Sequence, residues 1–509
     1  KECSLRNKKK INKSTKLKNK TTLILKGSNE SILKFGKESK KLNILIIAIT
    51  LFSCSEDFLS PAPTSVLNAA TFFETEADLE AALVNIYDGI QGVNSTQSND
   101  NHAIQVEFYL TEMRSDNTRT KSSEGEAAQF ESYSIESTNG IVDDYYRSFY
   151  NVIFRANTVL AHLDVATSEN LAKIEGEAKF IRAYAYFNLV RLYGDLPLLT
   201  SVISSADTDI QFTRVATSTI YDLIETDLST AIGGLDNSSK LRGSKAAAQA
   251  LLAKVYLTRG ANYTEAQQLC EAAMGSGFTL EPNFKDVFYS ELNNEIIFAI
   301  GYQEDSDDSQ NFSAEWLNAV GRTSGVNYTT SDVRTALDAL GGNRTLYSYR
   351  VDTDQPTQFQ VVKYLPEDDD ALGITSNVTD RTKAGNDWIV LRYADVLLMH
   401  VEAIMAGGND TSVQAALDSF ELVRLRAGLT ADADGTITKQ ELLDERRVEL
   451  AFENHRLFDL IRFGEAQNIL SAFSTATGGS FNATDLLLPI PQREINLSLG
   501  QLTQNQGYN

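Results

Sequence analysis

The stretch ALLAKVYLTRGANYTEAQQLCEAAM, residues 250–274, reads as two helices joined by a short turn. Ala248, Leu251, Leu252, Val255 and Tyr256 recur at helical spacing and give one apolar face. Gly260 ends that helix, and the chain returns from Tyr263 to Met274. Small residues at Ala250, Ala253, Ala266 and Ala273 let the two helices approach closely. The same periodicity appears elsewhere. Thr75-Glu76-Ala77-Asp78 reads as a capping box, followed by the stripe Leu79, Leu83, Ile86 and Ile90. Helices are predicted over 143–165 and over 170–193, the latter stopped by Gly194 with Pro197 beyond. Others are predicted over 388–406, 412–427, 438–453 and 456–472.

The hairpin at 250–274 resembles a tetratricopeptide unit, and earlier hairpins of like length point to a short solenoid. Residues 278–385 differ: rich in Asn, Asp, Ser, Thr and Gly, they predict long loops with short strands near 295–300 and 359–364. Long ordered loops on a rigid scaffold are where function concentrates. The fold class is therefore mostly α, a tetratricopeptide-like helical scaffold with a loop-rich variable region containing a few short strands.

The 509 residues carry a formal net charge of −22. Residues 1–41 hold 14 basic and 3 acidic residues, leaving 32 basic and 65 acidic in the rest, a net of −33. Such a body repels phosphate backbones, so nucleic acid is not an expected partner. Cys3, Cys54 and Cys270 form no CxxC, and His102, His162, His400 and His455 form no HExxH, so no zinc site is expected.

After Lys40-Lys41 comes an apolar run from Leu42 to Phe52, too short for the ~20 residues of a spanning helix. A basic segment and a short apolar run make a secretory signal. Leu51-Phe52-Ser53-Cys54 resembles a bacterial lipobox, in which cleavage exposes a thiol that carries acyl chains. Cys54 is thus the expected lipidation site, with Cys270 the one thiol left in the mature chain. Ser55-Glu56-Asp57 resembles a surface-export signal, or is a solvated tether. The expected divisions are a basic extension with signal peptide at 1–53, helical hairpins at 54–275, and a region at 276–509 with its loop-rich insertion at 276–387.

Two charged motifs bear on chemistry. Asp432, Asp434, Gly435 and Glu441 suggest a calcium loop, but Thr430 stands where its first carboxylate belongs. A capping box at Thr438–Glu441 is the simpler account. In the run 445–464, Glu449 and Glu453 lie one turn apart beside Arg446, Arg456 and Arg462, which predicts a buried ion network tying two helices together. No GxSxG, P-loop or dinucleotide fingerprint is present, so neither a catalytic residue nor a cofactor is expected. Sugar rings stack on flat aromatic faces, with amides and charged groups taking their hydroxyls. Candidates in the loop stretch are Tyr302, Phe312, Trp316, Tyr328, Tyr347 and Tyr349, with Trp316 foremost, against the competing reading that most of these rings plug small satellite cores. Tyr109, Asn117, Arg119, Phe130 and Tyr133 come from an earlier polar stretch.

Six motifs in order resemble the SusD/RagB family of outer-membrane lipoproteins. They are Cys54 with SEDFLSPAP, YRSFYN (146–151) through Arg155-Ala156-Asn157, EAKFIRAYAYFNLVRLYGDLPLL (177–199), LRYADVLLMHVEA (391–403), ERRVELAFENHRLFDLIRFG (445–464) and LPIPQREINLSLGQLTQNQGY (488–508). Ser498-Leu499-Gly500 departs from the family's usual Asn-Pro-Gly turn. The resemblance implies a tetratricopeptide scaffold, a lipid anchor and a SusC-like TonB-dependent transporter as partner. It implies capture of glycan, in some members peptide, without catalysis; an extracellular glycosidase is the competing reading. Ligand aromatics would come from loops broadly like 110–135 and 295–330, where no fixed motif identifies them.

Overall fold

The computed structural model describes residues 72–120, 124–203, 212–317, 327–352, 356–432 and 434–508. The chain divides into 1–72 and Phe73–Asn509, and the second unit holds the fold. The expected signal segment and Cys54 lie outside the described residues.

Helices of seven or more residues are numbered here. Helix α1, Glu76–Gln91, starts on the predicted Thr75–Asp78 capping box and buries Leu79, Leu83, Ile86 and Ile90. Helix α2, Gly140–Ala161, is capped by Asn139, whose side chain accepts from the amides of Ile141 and Val142. Helix α3, Leu171–Tyr193, is buried nearly all round and ends at Gly194, whose φ of 74° favours glycine. Helix α4, Thr217–Gly234, which is not among the predicted helices, buries Ile220, Ile224, Leu228 and Ala231. The opening hairpin is α5, Lys245–Arg259, and α6, Tyr263–Met274. Then come α7, Ser331–Leu340, α8, Tyr393–Met405, and α9, Gln414–Arg426. The set closes with α10, Lys439–Glu449, α11, Arg456–Arg462, and α12, Ala466–Thr477.

Helices α1 to α6 each pack on the next, and α6 continues onto α8 and α8 onto α9. Four hairpins therefore stack as a solenoid, which each needs because a lone hairpin leaves one face bare. Close approach within the stack depends on small residues. A Cβ on Gly234 would meet the Ala172 carbonyl oxygen at 2.1 Å, and one on Gly176 would meet Ala231 Cα at 3.3 Å.

Three two-stranded antiparallel pairs join the loops to this scaffold. Strand β1, Thr118–Arg119, pairs with β3, Tyr328–Thr329. Strand β2, Ile296–Ile300, pairs with β6, Trp388–Arg392. Strand β4, Tyr349–Val351, pairs with β5, Phe359–Val361. The expected helix over 388–406 is thus a strand followed by α8. The run Trp388-Ile389-Val390-Leu391 suits a mostly buried strand, and period alone does not separate that from a buried helix. The expected helix over 456–472 is likewise two, α11 and α12, with Gly464 at φ 73° between them.

The predicted ion network exists, with other partners than expected. Arg392 reaches Glu295 at 2.7 Å, Glu449 at 2.6 Å and Glu453 at 2.7 Å. Arg344 holds Glu445 and Glu449, Lys363 holds Glu453, and Arg426 holds Glu295 and Glu449. Arg446 instead binds Asp395 and Asp459, Arg456 binds Asp116, and Arg462 binds Glu402 and Asp459. Apart from Asp459, which lies one turn from Arg462 on α11, the acids beside Arg446, Arg456 and Arg462 lie on other segments, so neighbours in sequence are poor guides to ion partners. The capping box at Thr438–Glu441 forms, and no cluster of metal-ligating side chains appears among the described residues.

Two predictions follow from packing and charge. Gly234→Ala should cost about 1–3 kcal/mol in urea unfolding through overpacking. Its exposed neighbour Gly233, which a Cβ leaves clear of contacts, should gain up to about 1 kcal/mol as alanine. Equal effects at the two positions would refute the close approach. Burial opposes ionisation of Asp116 and Asp459, yet Arg447 and Arg456, and Arg446 and Arg462, outweigh it and hold each carboxyl down to about 2. Their stabilisation is present above the unfolded value of about 3.9 and is lost as pH falls toward 2. Burial also depresses His455 to about 3, so its contribution is present above about pH 6.5 and declines on acidification through 3. Urea midpoints should therefore fall below about pH 6.5 and more steeply below about pH 4; a midpoint that is flat from pH 7 to pH 3 would contradict this.

Candidate functional site

A cavity of about 400 Å³ opens where α1, α2 and the loop-rich region meet. Its walls are the loop after α1, the turns from His102 to Tyr109, the start of α2 and the short helix Phe312–Glu315. Gly92 begins the first wall. Its φ is +73°, and a Cβ there would lie 2.2 Å from the His102 carbonyl oxygen, so glycine alone lets the loop close back on itself. Asn94 ties that loop to the far side, donating to Ser309 Oγ at 3.0 Å and to the Thr382 carbonyl at 2.7 Å.

Phe108, Tyr109 and Phe312 supply the rings of the lining. Phe108 and Tyr109 lie 4.1 Å apart between centroids, and Tyr109 is only partly buried. Burial, with Glu315 and Glu124 nearby, pushes the Tyr109 phenol well above its usual pKa, so it stays protonated. Around the rings stand Asn94, Gln105, Glu126, Asn311 and Glu315. Glu126 accepts from the Gly140 amide at 3.0 Å, at the N-terminus of α2. Asn311 donates to Glu315 at 2.9 Å. His102 bonds Asp144 through Nδ1 at 2.5 Å, and this partner draws its pKa up. No Lys or Arg is among the described lining residues. A second cavity of about 390 Å³, bounded by Glu76, Glu80, Lys173, Glu177 and Arg242, has no aromatic wall.

The residues expected to bind ligand are mostly buried. Trp316 is 1% exposed and packs on Phe108, Phe452 and Tyr364. The expectation of an exposed loop tryptophan is corrected: the turn Phe312–Glu315 directs this segment inward. Tyr302 is buried, donates its hydroxyl to the Gln91 carbonyl and meets Phe312 edge-on at 5.8 Å. Phe130 is buried 6.2 Å from Tyr109. Trp316, Tyr302 and Phe130 thus back Phe108, Phe312 and Tyr109 one layer behind the cavity. Tyr133 donates to the Arg114 carbonyl and packs edge-on against Phe481. Asn117 bridges Glu112 and Arg447 in the interior. Arg119, its side chain 34% exposed, pairs with Glu131. None of these last three lines the cavity. Of the rings considered from sequence, Tyr109 and Phe312 do. Sequence reasoning missed His102, Glu126 and Asp144 as site residues. Asp144 lies 42 positions from His102, with no local pattern to join them.

A model described as "SusD family" matches residues 315–508, and one described as "Starch-binding associating with outer membrane" matches 57–257. "SusD-like protein P2" of Formosa agariphila is 26% identical over 92% of this chain and 99% of its own length. "Starch-binding protein SusD" of Bacteroides thetaiotaomicron is 24% identical over 72% and 78%. Among solved structures, a "Laminarin binding SusD-like protein" superposes with a TM-score of 0.71 at 26% identity, covering 85% of this chain and all of that one. "Surface glycan-binding protein A" of Bacteroides thetaiotaomicron in complex with laminarihexaose shares the fold, with a TM-score of 0.70 at 20% identity over 85% and 99%.

The layering separates two roles by measurement. Trp316→Ala should cost about 3–5 kcal/mol of stability, the usual toll of emptying a core ring. Tyr109→Ala, at a half-open ring, should cost less than half of that. Similar unfolding midpoints for the two variants would contradict the assignment of lining and backing.

Proposed function

The chain belongs to the SusD/RagB family, and from that premise we propose that it captures glycan in the cavity walled by Phe108, Tyr109 and Phe312. The observation that carries this reading is the half-open ring of Tyr109, set between the buried rings of Phe108 and Phe312, beside amides and carboxylates in one cavity of ligand size. A pyranose face of C–H groups stacks on Tyr109, while Asn94, Gln105, Asn311 and the acids take hydroxyls. The ligand is an uncharged glycan, because the described lining offers Glu126, Glu315 and Asp144 but no Lys or Arg to meet a polyanion. A β-glucan of the laminarin type is the first choice, since a relative of similar fold is described as binding laminarin.

The captured chain is not cleaved. It passes to a SusC-like TonB-dependent transporter, beside which the protein is held by acyl chains on Cys54, facing outward from the outer membrane. A family description that speaks of association with the outer membrane supports this placement.

Affinity electrophoresis of the full chain in gels holding laminarin, starch or a sulfated glycan tests the reading. Retardation by laminarin, none by the sulfated glycan, and loss of retardation in Tyr109→Ala are expected. New reducing ends after incubation with laminarin would overturn the non-catalytic role. Binding of peptides with no glycan retarded would favour peptide capture instead.

A further inference from the structure

His102 is the one basic side chain among the described lining residues, and both its ring nitrogens face acceptors. Nδ1 lies 2.5 Å from Asp144 Oδ2, and Nε2 lies 3.0 Å from the Ser95 carbonyl oxygen. A neutral imidazole carries one N–H, so only the doubly protonated ring can donate to both. The His102 amide also donates to Asp144 Oδ1 at 3.2 Å. Arg147, one turn further along α2, donates to the carbonyls of Ser98, Asn99 and Asp100. Within the loop, Ser95 donates to Asp100 at 2.6 Å, and the Val93 amide closes onto the Asn101 carbonyl at 2.9 Å. The loop 93–101 forms the cavity wall through Asn94, Ser95, Thr96 and Ser98. Asp144, through the imidazole, and Arg147 therefore hold it to α2, while Asn94 holds it to Ser309 and Thr382.

We infer that protonated His102 is a positioning residue, a latch that fixes the 93–101 wall, so that glycan capture weakens as pH rises and the latch opens. The proposal rests on the glycan reading above. The charged groups near the ring are Asp100 from the loop and Asp144 from α2, with Arg147 beside Asp144, while Glu126 and Glu315 line the same cavity. Four acids against one arginine favour the imidazolium. The Asp144 hydrogen bond leads in raising its pKa, against the opposing cost of burial. When the ring loses its proton, the remaining N–H stays on Nδ1 toward the carboxylate. Nε2 then presents a lone pair to the Ser95 carbonyl, and that contact turns repulsive.

The test measures amide exchange over 93–101 in the full chain at about pH 6 and about pH 9, corrected for intrinsic rates, beside laminarin retardation at both values. Protection should fall about tenfold or more on the alkaline side, the scale of one charge-assisted hydrogen bond, and retardation should fall with it. His102→Gln should exchange quickly at both values with no step, and Asp144→Asn should move the step to lower pH. Equal protection of the wild-type loop at both values overturns the latch, as does an NMR titration placing the His102 pKa at or below 6.5. A step in protection with unchanged retardation overturns the coupling to capture. Absence of laminarin retardation at every pH overturns the ligand reading instead, and the exchange step then decides the latch by itself.

Discussion

Arg392 is the fastening on which the molecule depends. Its guanidinium is about 1% exposed and hydrogen-bonds Glu295 just before β2, Glu449 at the end of α10, and Glu453 in the turn that follows. Stripping such groups of water costs several kcal/mol each, a cost that only close geometry and charge balance offset. Both are present: Arg344, Lys363, Arg392 and Arg426 meet Glu295, Glu445, Glu449 and Glu453. Ring faces help to seat the cations, with Lys363 4.8 Å from the Phe288 centroid and Arg426 5.0 Å from that of Phe284. The fork of an arginine suits this better than lysine would, because one guanidinium can address three carboxylates from fixed directions. The network leaves little freedom in how the strand pair, the variable region and the closing helices meet.

The fastening reaches the candidate site through packed side chains. Between Glu449 and Glu453 the chain turns back, and Phe452 takes a φ of 67° that a phenylalanine rarely adopts. Its ring is fully buried and lies 6.0 Å from Trp316, which in turn lies 5.4 Å from Phe108 on the cavity wall. Beside it Asn454, at φ 61°, donates to Glu107, which also accepts from the Tyr145 hydroxyl. A polar path and an apolar path thus run from the ion network to the same turn. The wall at 107–109 is rigid because it is the outer surface of a core, whereas the opposite wall at 93–101 hangs on hydrogen bonds alone.

What could be read from sequence follows the range of the interactions. The capping boxes at Thr75 and Thr438, the stop at Gly194 and the α5–α6 hairpin are settled within one turn of helix, and each stands where the residues predict it. A buried ion network could be anticipated from Glu449 and Glu453, because carboxylates that close need cations. Which cations could not, because Arg344 lies 105 positions from Glu449 and Lys363 lies 90 from Glu453. The same limit explains Trp316. A polar neighbourhood in sequence suggests exposure, but a four-residue helical turn has no periodicity to show that its far end points inward. Tyr109 stays half-open for reasons that lie in α2 and in the 311–315 turn, outside its own neighbourhood.

Charge at two scales bears on what the cavity can hold. The chain beyond residue 41 carries a net of −33, so a polyanion meets repulsion at long range before it meets the site. Salt screens that field within about 8 Å at physiological strength, so selectivity must also be present locally. Locally, Glu126, Glu315 and Asp144 line the cavity, and its single basic group, His102, already faces Asp144 with Nδ1 and the Ser95 carbonyl with Nε2. A sulfate or uronate entering here would find neither a free guanidinium nor a free ammonium among the described lining residues. A neutral sugar has no such need, since its hydroxyls can donate to the carboxylates that an anion would be driven from. The same acids that would repel one class of glycan would therefore give the other its hydrogen-bond acceptors.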